Sequence, residues 1–207
     1  MPRPPRDQTA GIRHITCRGN RRQPIFLDDL DRRHYLGLVQ HVCGVFEWRV
    51  LAWCLMTNHV HLVLEVSGGT ISAGMQLLCG DYAQGFNWRH GLTGHLFQGR
   101  FRAEPVVDEA YLFELARYVD LNPERAGVVP RAEVWMWSSC RAHLDLEPPR
   151  RFHDPIWVRR FGATPERAAA AYARFLEAGR RTRPFRTRRG LTPDMADWDR
   201  WRGEFSL

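Results

Sequence analysis

Apolar positions follow two different spacings along the chain up to Arg125, and the switches between them mark the predicted elements. Runs that are apolar throughout or alternate with polar residues indicate strands, and these are 13–18, 47–56, 59–66 and 95–107. Runs with apolar residues three and four positions apart indicate amphipathic helices, and these are 28–45, 70–89 and 108–122. The last strand-like run is equally consistent with an extended arm.

The order strand, helix, strand, strand, helix, strand, helix resembles an α+β ferredoxin-like sandwich with an antiparallel sheet. Residues 47–56 are apolar on both faces, which predicts a central strand covered on both sides. Thr57 and Asn58 form a short connection to the strand at 59–66, so we expect a hairpin there.

The helix predicted at 108–122 places two polar side chains together. Leu112, Leu115, Ala116 and Val119 form its core stripe, and Pro123 is expected to end it. Tyr118 and Asn122 are four residues apart and therefore stand one above the other on a neighbouring face.

The chain outside these elements is divided by composition. Residues 1–10 are rich in Pro and Arg and are expected to be disordered, and 11–130 form the main domain. Residues 131–179 are a helical extension with a clear helix at 165–178. Residues 180–207 are an Arg-rich tail, equally consistent with a solvated segment and a nucleic-acid-binding arm.

The charge balance points to a polyanionic partner. The chain has 207 residues, a formal net charge of +7 and no lysine, so all 30 basic residues are arginine. Arginine grips phosphate oxygens with two parallel hydrogen bonds and stacks on bases, although a GC-rich genome explains the arginine bias equally well. The five cysteines are scattered and never paired as Cys-x-x-Cys, and no signal peptide or membrane span is visible, so we expect a cytoplasmic protein.

His59 and His61 open the strand predicted at 59–66. Side chains alternate along a strand, so both imidazoles project from one face, roughly 7 Å apart, while Val60 and Leu62 face the other way. That separation is within the span of one bound divalent cation. An arbitrary His-x-His is more often two half-buried polar residues, so this pattern alone leaves both interpretations open.

Together with Tyr118 and Asn122, the histidines suggest cleavage of a phosphodiester. A cation held by the imidazoles and the Asn122 carbonyl oxygen would polarise a scissile phosphate, and Tyr118 would attack it. Nitrogen ligands suit Mn²⁺ as well as Mg²⁺. Tyr111 is the competing nucleophile on nearly the same helix face, but Leu115 rather than a carboxamide follows it four residues on.

Three segments of the sequence resemble the REP-associated tyrosine transposases, within the single-tyrosine HUH transposases. They are 56–63 (MTNHVHLV), 95–101 (HLFQGRF) and 117–127 (RYVDLNPERAG), in the family's order. The resemblance implies that His59, His61 and Asn122 bind the metal and that Tyr118 is the nucleophile. It also implies cleavage of single-stranded DNA near a palindromic hairpin through a 5′-phosphotyrosine link, with strand transfer by reversal. Thr57 and Glu124 stand where proline and valine are common in the family.

Arginines beside these motifs are the expected DNA contacts, with ordinary surface charge as the alternative: Arg18, Arg21, Arg22, Arg100, Arg102 and Arg125. A non-catalytic DNA- or RNA-binding module and a metallohydrolase are the competing functions. The hydrolase is disfavoured because too few ligands accompany the His-x-His pair. The sequence is compatible with a monomer or a homodimer.

Overall fold

The computed structural model describes residues 9–181, which form two compact units. The first unit ends at Pro105, and the second comprises Leu51–Cys54 and the chain from Val106 onward. The strands are β1 (Gly11–Arg18), β2 (Arg49–Leu55), β3 (His59–Val66) and β4 (Arg102–Pro105). The helices are α1 (Asp29–Phe46), α2 (Ile71–His90), α3 (Glu109–Arg125), α4 (Cys140–His143) and α5 (Pro165–Arg180).

The four strands form one sheet in the order β2-β3-β1-β4. β1 pairs antiparallel with β3 and with β4. The element order β-α-β-β-α-β and this strand order define a ferredoxin-like α+β sandwich, followed by a helical C-terminal part, as predicted. The β2–β3 hairpin is also confirmed, since the Met56 backbone N–H donates to the His59 carbonyl at 2.9 Å.

The first helix starts where its acidic residues predict. The Asp28 side chain accepts from the backbone N–H groups of Leu30 and Asp31, and Asp31 returns the contact in a capping box. Arg89 and His90, in the last turn of α2, bind these two carboxylates. Arg89 lowers the pKa of Asp28 to about 2. The start of α1 is thereby fixed to the end of α2.

The two faces of the β1–β3 ladder differ in chemistry. Ile15, Leu62 and Leu64 belong to the apolar face and are buried. The other face carries His14 and Arg18 of β1 beside the two histidines of β3, because Arg18 pairs with His59 and Thr16 with His61. One side of the sheet therefore belongs to the core, and the opposite side carries the polar residues of interest.

The prediction that residues 47–56 form a central strand is wrong in position, because β2 lies at the edge of the sheet. Its side chains are buried as expected, and its outer backbone edge is covered within the second unit. Ser139 bonds both the N–H and the carbonyl of Trp53, and the Leu51 carbonyl accepts from the Trp157 indole at 2.9 Å. Burial on both faces therefore identified a covered strand but not its place in the sheet.

The strand predicted at 95–107 is much shorter than expected. Only Arg102–Pro105 pairs with β1. The segment before it runs as a loop fixed by single contacts, among them Gln98 N–H to the Arg18 carbonyl at 2.9 Å and an isolated bridge between Gly19 and Phe97. The arm interpretation thus describes the segment up to Phe101 better than the strand interpretation.

The prediction that Pro123 ends the third helix is also wrong, since α3 runs to Arg125 with Pro123 inside it. Proline removes one helical N–H but leaves the neighbouring bonds. The chain keeps its turn because the Ala126 N–H still donates to the Asn122 carbonyl at 3.0 Å. A proline so near the end of a helix interrupts little of it.

A buried polar cluster holds the second unit together, and we call it the Asp120 network. Asp120 is fully buried and accepts from Ser139 Oγ at 2.9 Å, His143 Nδ1 at 2.7 Å and Tyr172 Oη at 2.7 Å. His153 lies beside His143, with 3.1 Å between their Nε2 atoms. The network ties α3 to α4 and α5.

The predicted C-terminal helix extends two residues further than expected, to Arg180. Arg180 is not part of a solvated run, because its guanidinium binds the carboxylates of Glu124, Glu133 and Glu177.

The rest of the predicted Arg-rich tail and most of the predicted disordered N-terminus lie outside the described residues. The domain division expected at residue 130 stays a prediction, and α3 belongs to the same compact unit as the residues after it. Within residues 9–181, no helix is long and apolar enough to cross a membrane.

Candidate functional site

His59 and His61 lie at the start of β3, on the polar face of the sheet. Their ring centroids are 5.0 Å apart and the rings are nearly perpendicular, at 85°. His61 is buried, whereas His59 is half-buried. The predicted arrangement of two adjacent imidazoles on one rigid element is therefore present, with one of them nearer solvent.

Asn58 fixes the orientation of His59. The Asn58 amide Nδ2 donates to the Arg22 carbonyl at 2.9 Å, so its Oδ1 faces the His59 ring. Because a carboxamide oxygen only accepts, His59 Nδ1 carries the proton and donates to it at 2.7 Å. The lone pair then lies on His59 Nε2, the arrangement by which a neighbouring oxygen prepares a histidine to bind a metal.

His14 supports His61 in a similar way. Its Nε2 lies 3.0 Å from His61 Nδ1, and the two rings stack with 5.2 Å between centroids. Burial lowers the pKa of His14 to about 4, and burial followed by the charge of His14 lowers the pKa of His61 well below its ordinary value. Both rings are therefore neutral near pH 7. When His61 Nδ1 holds the shared proton, its Nε2 carries the lone pair that a cation needs.

Sequence reasoning missed His14. The available signal was its place in the first predicted strand, where it alternates in step with Arg18. No sequence pattern indicated that β1 would lie beside β3, so the contact with His61 was not foreseen.

Exposed arginines surround the same end of the sheet. Arg18 pairs with His59, and the turn that follows it is bonded to the β2–β3 connection through Gly19 N–H to the Asn58 carbonyl at 2.8 Å. Arg21 and Arg22, in that turn, have left-handed backbone angles of φ 51° and 61°. A Cβ on Gly19 would lie 2.2 Å from the Gln23 carbonyl oxygen, so this turn requires glycine there.

A second group of predicted DNA contacts, Arg100 and Arg102, lies on β4 and the loop before it, and β4 pairs with β1. Arg102 pairs with Thr16 of β1, and both Arg100 and Arg102 are exposed. Five of the six nominated arginines thus belong to the first unit and are exposed. The sixth, Arg125, is half-buried on α3 and donates to the Gly179 carbonyl at 2.8 Å, so it also anchors α5.

Tyr118 and Asn122 lie on the least buried face of α3. Among Ala110–Leu121, all of which the structure describes, Tyr118 alone is half-buried and the others are buried, and Asn122 is half-buried one turn later. Tyr111, the alternative nucleophile, is only 6% exposed. The helix therefore makes Tyr118 the more accessible tyrosine.

Glu124, one of the departures from the family pattern, has a structural role. Its carboxylate binds Arg180 Nε at 2.8 Å and accepts from the Ala132 backbone N–H at 2.8 Å. These contacts fix the end of α3 to α5 and to the following turn. A valine at this position could make neither contact.

The residues fit a divalent cation as an incomplete ligand set. His59 and His61 offer two neutral imidazoles, which suit Mn²⁺ and related ions. In residues 9–181 no group of three or more His, Cys, Asp and Glu side chains is arranged to hold a metal ion. Within these residues, a third ligand would be of another kind, such as a carboxamide, water or substrate phosphate.

A family comparison identifies the chain. The family described as "Transposase IS200 like" matches residues 8–122, more than half of the sequence. The chain therefore belongs to the IS200-like transposase family. The matched range ends at Asn122 and contains both histidines and Tyr118. No curated protein matches the chain significantly.

Solved structures similar to the chain include the following two. The structure of a REP-associated tyrosine transposase bound to a REP hairpin matches with a TM-score of 0.58 at 19% identity, covering 75% of this chain and 90% of that one. A putative transposase from Deinococcus radiodurans R1 matches with a TM-score of 0.41 at 14% identity, covering 54% of this chain and 91% of that one. At 19% identity, the similarity to the REP-associated tyrosine transposase establishes a shared fold.

Proposed function

We propose that this transposase cleaves single-stranded DNA beside a hairpin and forms a covalent 5′-phosphotyrosine intermediate at Tyr118. The observation that carries the proposal is the His59–His61 pair, with His59 held by Asn58 in the tautomer that a metal ligand requires. Family membership supports the reaction class, and the structure described as bound to a REP hairpin supports the choice of DNA.

The chain's own groups would act as follows. Tyr118 Oη gives up its proton to solvent as it attacks the scissile phosphorus, and the 3′-oxygen of the preceding nucleotide leaves and takes up a proton from solvent. The tyrosine then holds the 5′-phosphate through a phosphodiester bond. A 3′-hydroxyl from the same or another strand reverses the step, so strands are rejoined without an added energy source.

His59, His61 and Asn122 would hold Mg²⁺ or Mn²⁺, with imidazole nitrogens from the first two and a carboxamide oxygen from the third. A bound cation would supply Lewis-acid polarisation of the scissile phosphate. The exposed arginines Arg18, Arg21, Arg22, Arg100 and Arg102 would grip the DNA backbone, and half-buried Arg125 would contribute from α3.

The test is adduct formation with a labelled hairpin oligonucleotide from the DNA that flanks the gene, with and without Mn²⁺ or Mg²⁺. On a denaturing gel, we expect a metal-dependent shifted band with the wild-type protein and with Tyr111→Phe. The band should be absent with Tyr118→Phe, which should still bind the DNA. Binding by the wild-type protein without any adduct would instead indicate a hairpin-binding protein that does not cleave.

A further inference from the structure

The first unit contains a cleft that none of the proposed catalytic residues lines. It lies between α2 and the loop that runs from Gly94 to Phe101, and its volume is about 530 Å³. Clefts of about 300–1,000 Å³ are of the size that encloses small organic ligands. A single nucleotide falls within this range.

One wall of the cleft is a face of α2. Met75, Cys79 and Ala83 recur four residues apart and therefore share that face. Gly80 lies beside them, and a Cβ at Gly80 would meet no atom within 4 Å. The helix backbone is thus accessible to a flat ligand along this wall.

The opposite wall combines aromatic rings with a cation. Phe97 and Phe101 line it, Phe97 half-buried and Phe101 only 8% exposed, and Arg100 between them is exposed. Aromatic rings stack on bases of any sequence, and arginine binds phosphate, so this pairing is typical of surfaces that hold unpaired nucleotides. Gln76 and Ser72 on α2 add side chains that can hydrogen-bond the edge of a base.

The cleft is continuous with the candidate DNA-binding surface. Its loop wall is bonded to the end of β1 by Asn20 N–H to the Leu96 carbonyl at 2.8 Å and by Gln98 N–H to the Arg18 carbonyl at 2.9 Å. Arg18 in turn pairs with His59. A DNA strand that follows Arg18 and the loop bonded to it would therefore reach the cleft.

We propose that this cleft binds one unpaired nucleotide of the DNA strand, with its base between α2 and Phe97 and its phosphate on Arg100. The inference rests on the proposed function for the identity of the nucleic acid, but it does not require cleavage. It assigns to the cleft the recognition of one position in the single-stranded flank of the hairpin.

The test combines a substitution that fills the cleft with DNA hairpins that lack single bases. Ala83→Leu projects into the cleft, whereas Ala73→Leu makes the same change on an exposed part of α2 outside it. Affinity is measured for hairpin oligonucleotides that each lack one base of the single-stranded flank. For the wild-type protein and for Ala73→Leu, removing the base at one position of the flank should weaken binding about tenfold relative to the intact hairpin. Ala83→Leu should bind the intact hairpin about tenfold more weakly than the wild-type protein does, and removing that base should weaken its binding no further.

Equal affinities of Ala83→Leu and Ala73→Leu for intact DNA, or abasic effects that are the same in both, would overturn the proposal. The result is independent of adduct formation, so a protein that binds but does not cleave would contradict the proposed reaction and leave the cleft assignment standing. Failure of the wild-type protein to bind any of the hairpins would overturn both.

Cys79 provides a second readout in the unmodified protein. It lines the cleft and is half-buried, whereas Cys17, Cys43, Cys54 and Cys140 are buried. Bound hairpin DNA should slow alkylation of Cys79 by iodoacetamide by tenfold or more at saturation, and the critical abasic hairpin should protect less at the same concentration. Equal alkylation rates with and without DNA would contradict occupancy of the cleft.

Discussion

Two histidine clusters in this protein share a residue type but differ in their surroundings. In the first, His59 and His61 lie on a strand beside His14, and their bonded neighbours are a carboxamide and a neutral imidazole. In the second, His143 and His153 are buried with Asp120, and both nitrogens of His143 contact protein acceptors or the neighbouring ring.

This difference indicates that the first cluster is a candidate binding site and that the second has a structural role. His143 uses both its nitrogens inside the protein, so a ligand would have to displace existing bonds. His59 is half-buried and donates from Nδ1 to Asn58, and in this tautomer its Nε2 carries the lone pair that a cation requires. His143, whose two nitrogens both contact buried protein groups, is therefore assigned a structural role, and predictions for the two clusters should diverge.

The largest expected effect is loss of stability on removing Asp120. Asp120→Ala would leave the donors of Ser139, His143 and Tyr172 without their acceptor, and each buried unsatisfied group costs about 1–3 kcal/mol. We expect roughly 3 kcal/mol or more to be lost from the free energy of unfolding, measured with urea. Asp81→Ala, at an exposed position of α2, is the control and should change it little. A loss below about 1 kcal/mol for Asp120→Ala would contradict the structural role.

The second effect concerns metal affinity at the first cluster. Asn58→Ala removes the oxygen that orients His59, and loss of such a partner typically weakens metal binding 10- to 100-fold. Calorimetric titration with Mn²⁺ should show this weakening, whereas Asn87→Ala, which removes a side-chain bond to the Gly94 carbonyl, should not. Unchanged affinity in Asn58→Ala would mean that Asn58 does not prepare His59 for a metal.

A smaller effect on the free energy of unfolding is expected from substituting two buried tyrosines, one in each unit. Tyr172 donates to the Asp120 carboxylate, and Tyr82 donates to the Ile25 carbonyl. Bonds to charged acceptors contribute more than neutral ones, so Tyr172→Phe should lower the free energy of unfolding by about 2 kcal/mol and Tyr82→Phe by about 1 kcal/mol. Urea unfolding followed by tryptophan fluorescence measures both. The reverse ranking would show that the Asp120 network is not the stronger support.

The smallest expected effect is a change in the pH dependence of stability. Burial, followed by the charge of His143, lowers the pKa of His153 well below 6.5. As the pH falls below about 6.5, the unfolded chain takes up a proton at His153 and the folded protein does not, so stability decreases. His153→Phe should make that decrease shallower by less than about 1 kcal/mol in the free energy of unfolding between pH 7 and pH 6. An unchanged slope would mean that His153 is protonated in the folded state.

The local elements could be predicted because they depend on local patterns. The helix starting after Asp28, the hairpin at Thr57–Asn58 and the strand at His59 each have a signal in adjacent residues. The edge position of β2 could not be read in this way, because Ser139 and Trp157 cover it from far along the chain. Apolar residues on both faces of a strand indicate that the strand is buried, but they do not indicate which part of the protein covers it.

The candidate site shows the same limit. His59, His61, Tyr118 and Asn122 could be nominated from motifs, and their roles remain predictions. His14 and the Asp120 network depend on contacts between residues that are distant in sequence, which spacing does not reveal. Pro123 was misleading because its local effect on a helix is small near the helix end.

Identification of the residue that carries the DNA tests the central claim most directly. After reaction with the hairpin and digestion of the DNA, trypsin cleaves at Arg102, Arg117 and Arg125 and places Tyr111 and Tyr118 in separate peptides. We expect a nucleotide adduct, detected by mass spectrometry, on the peptide 118–125 and only when Mn²⁺ or Mg²⁺ is present. An adduct on the peptide 103–117, or on neither peptide while the DNA is cut, would contradict Tyr118 as the nucleophile.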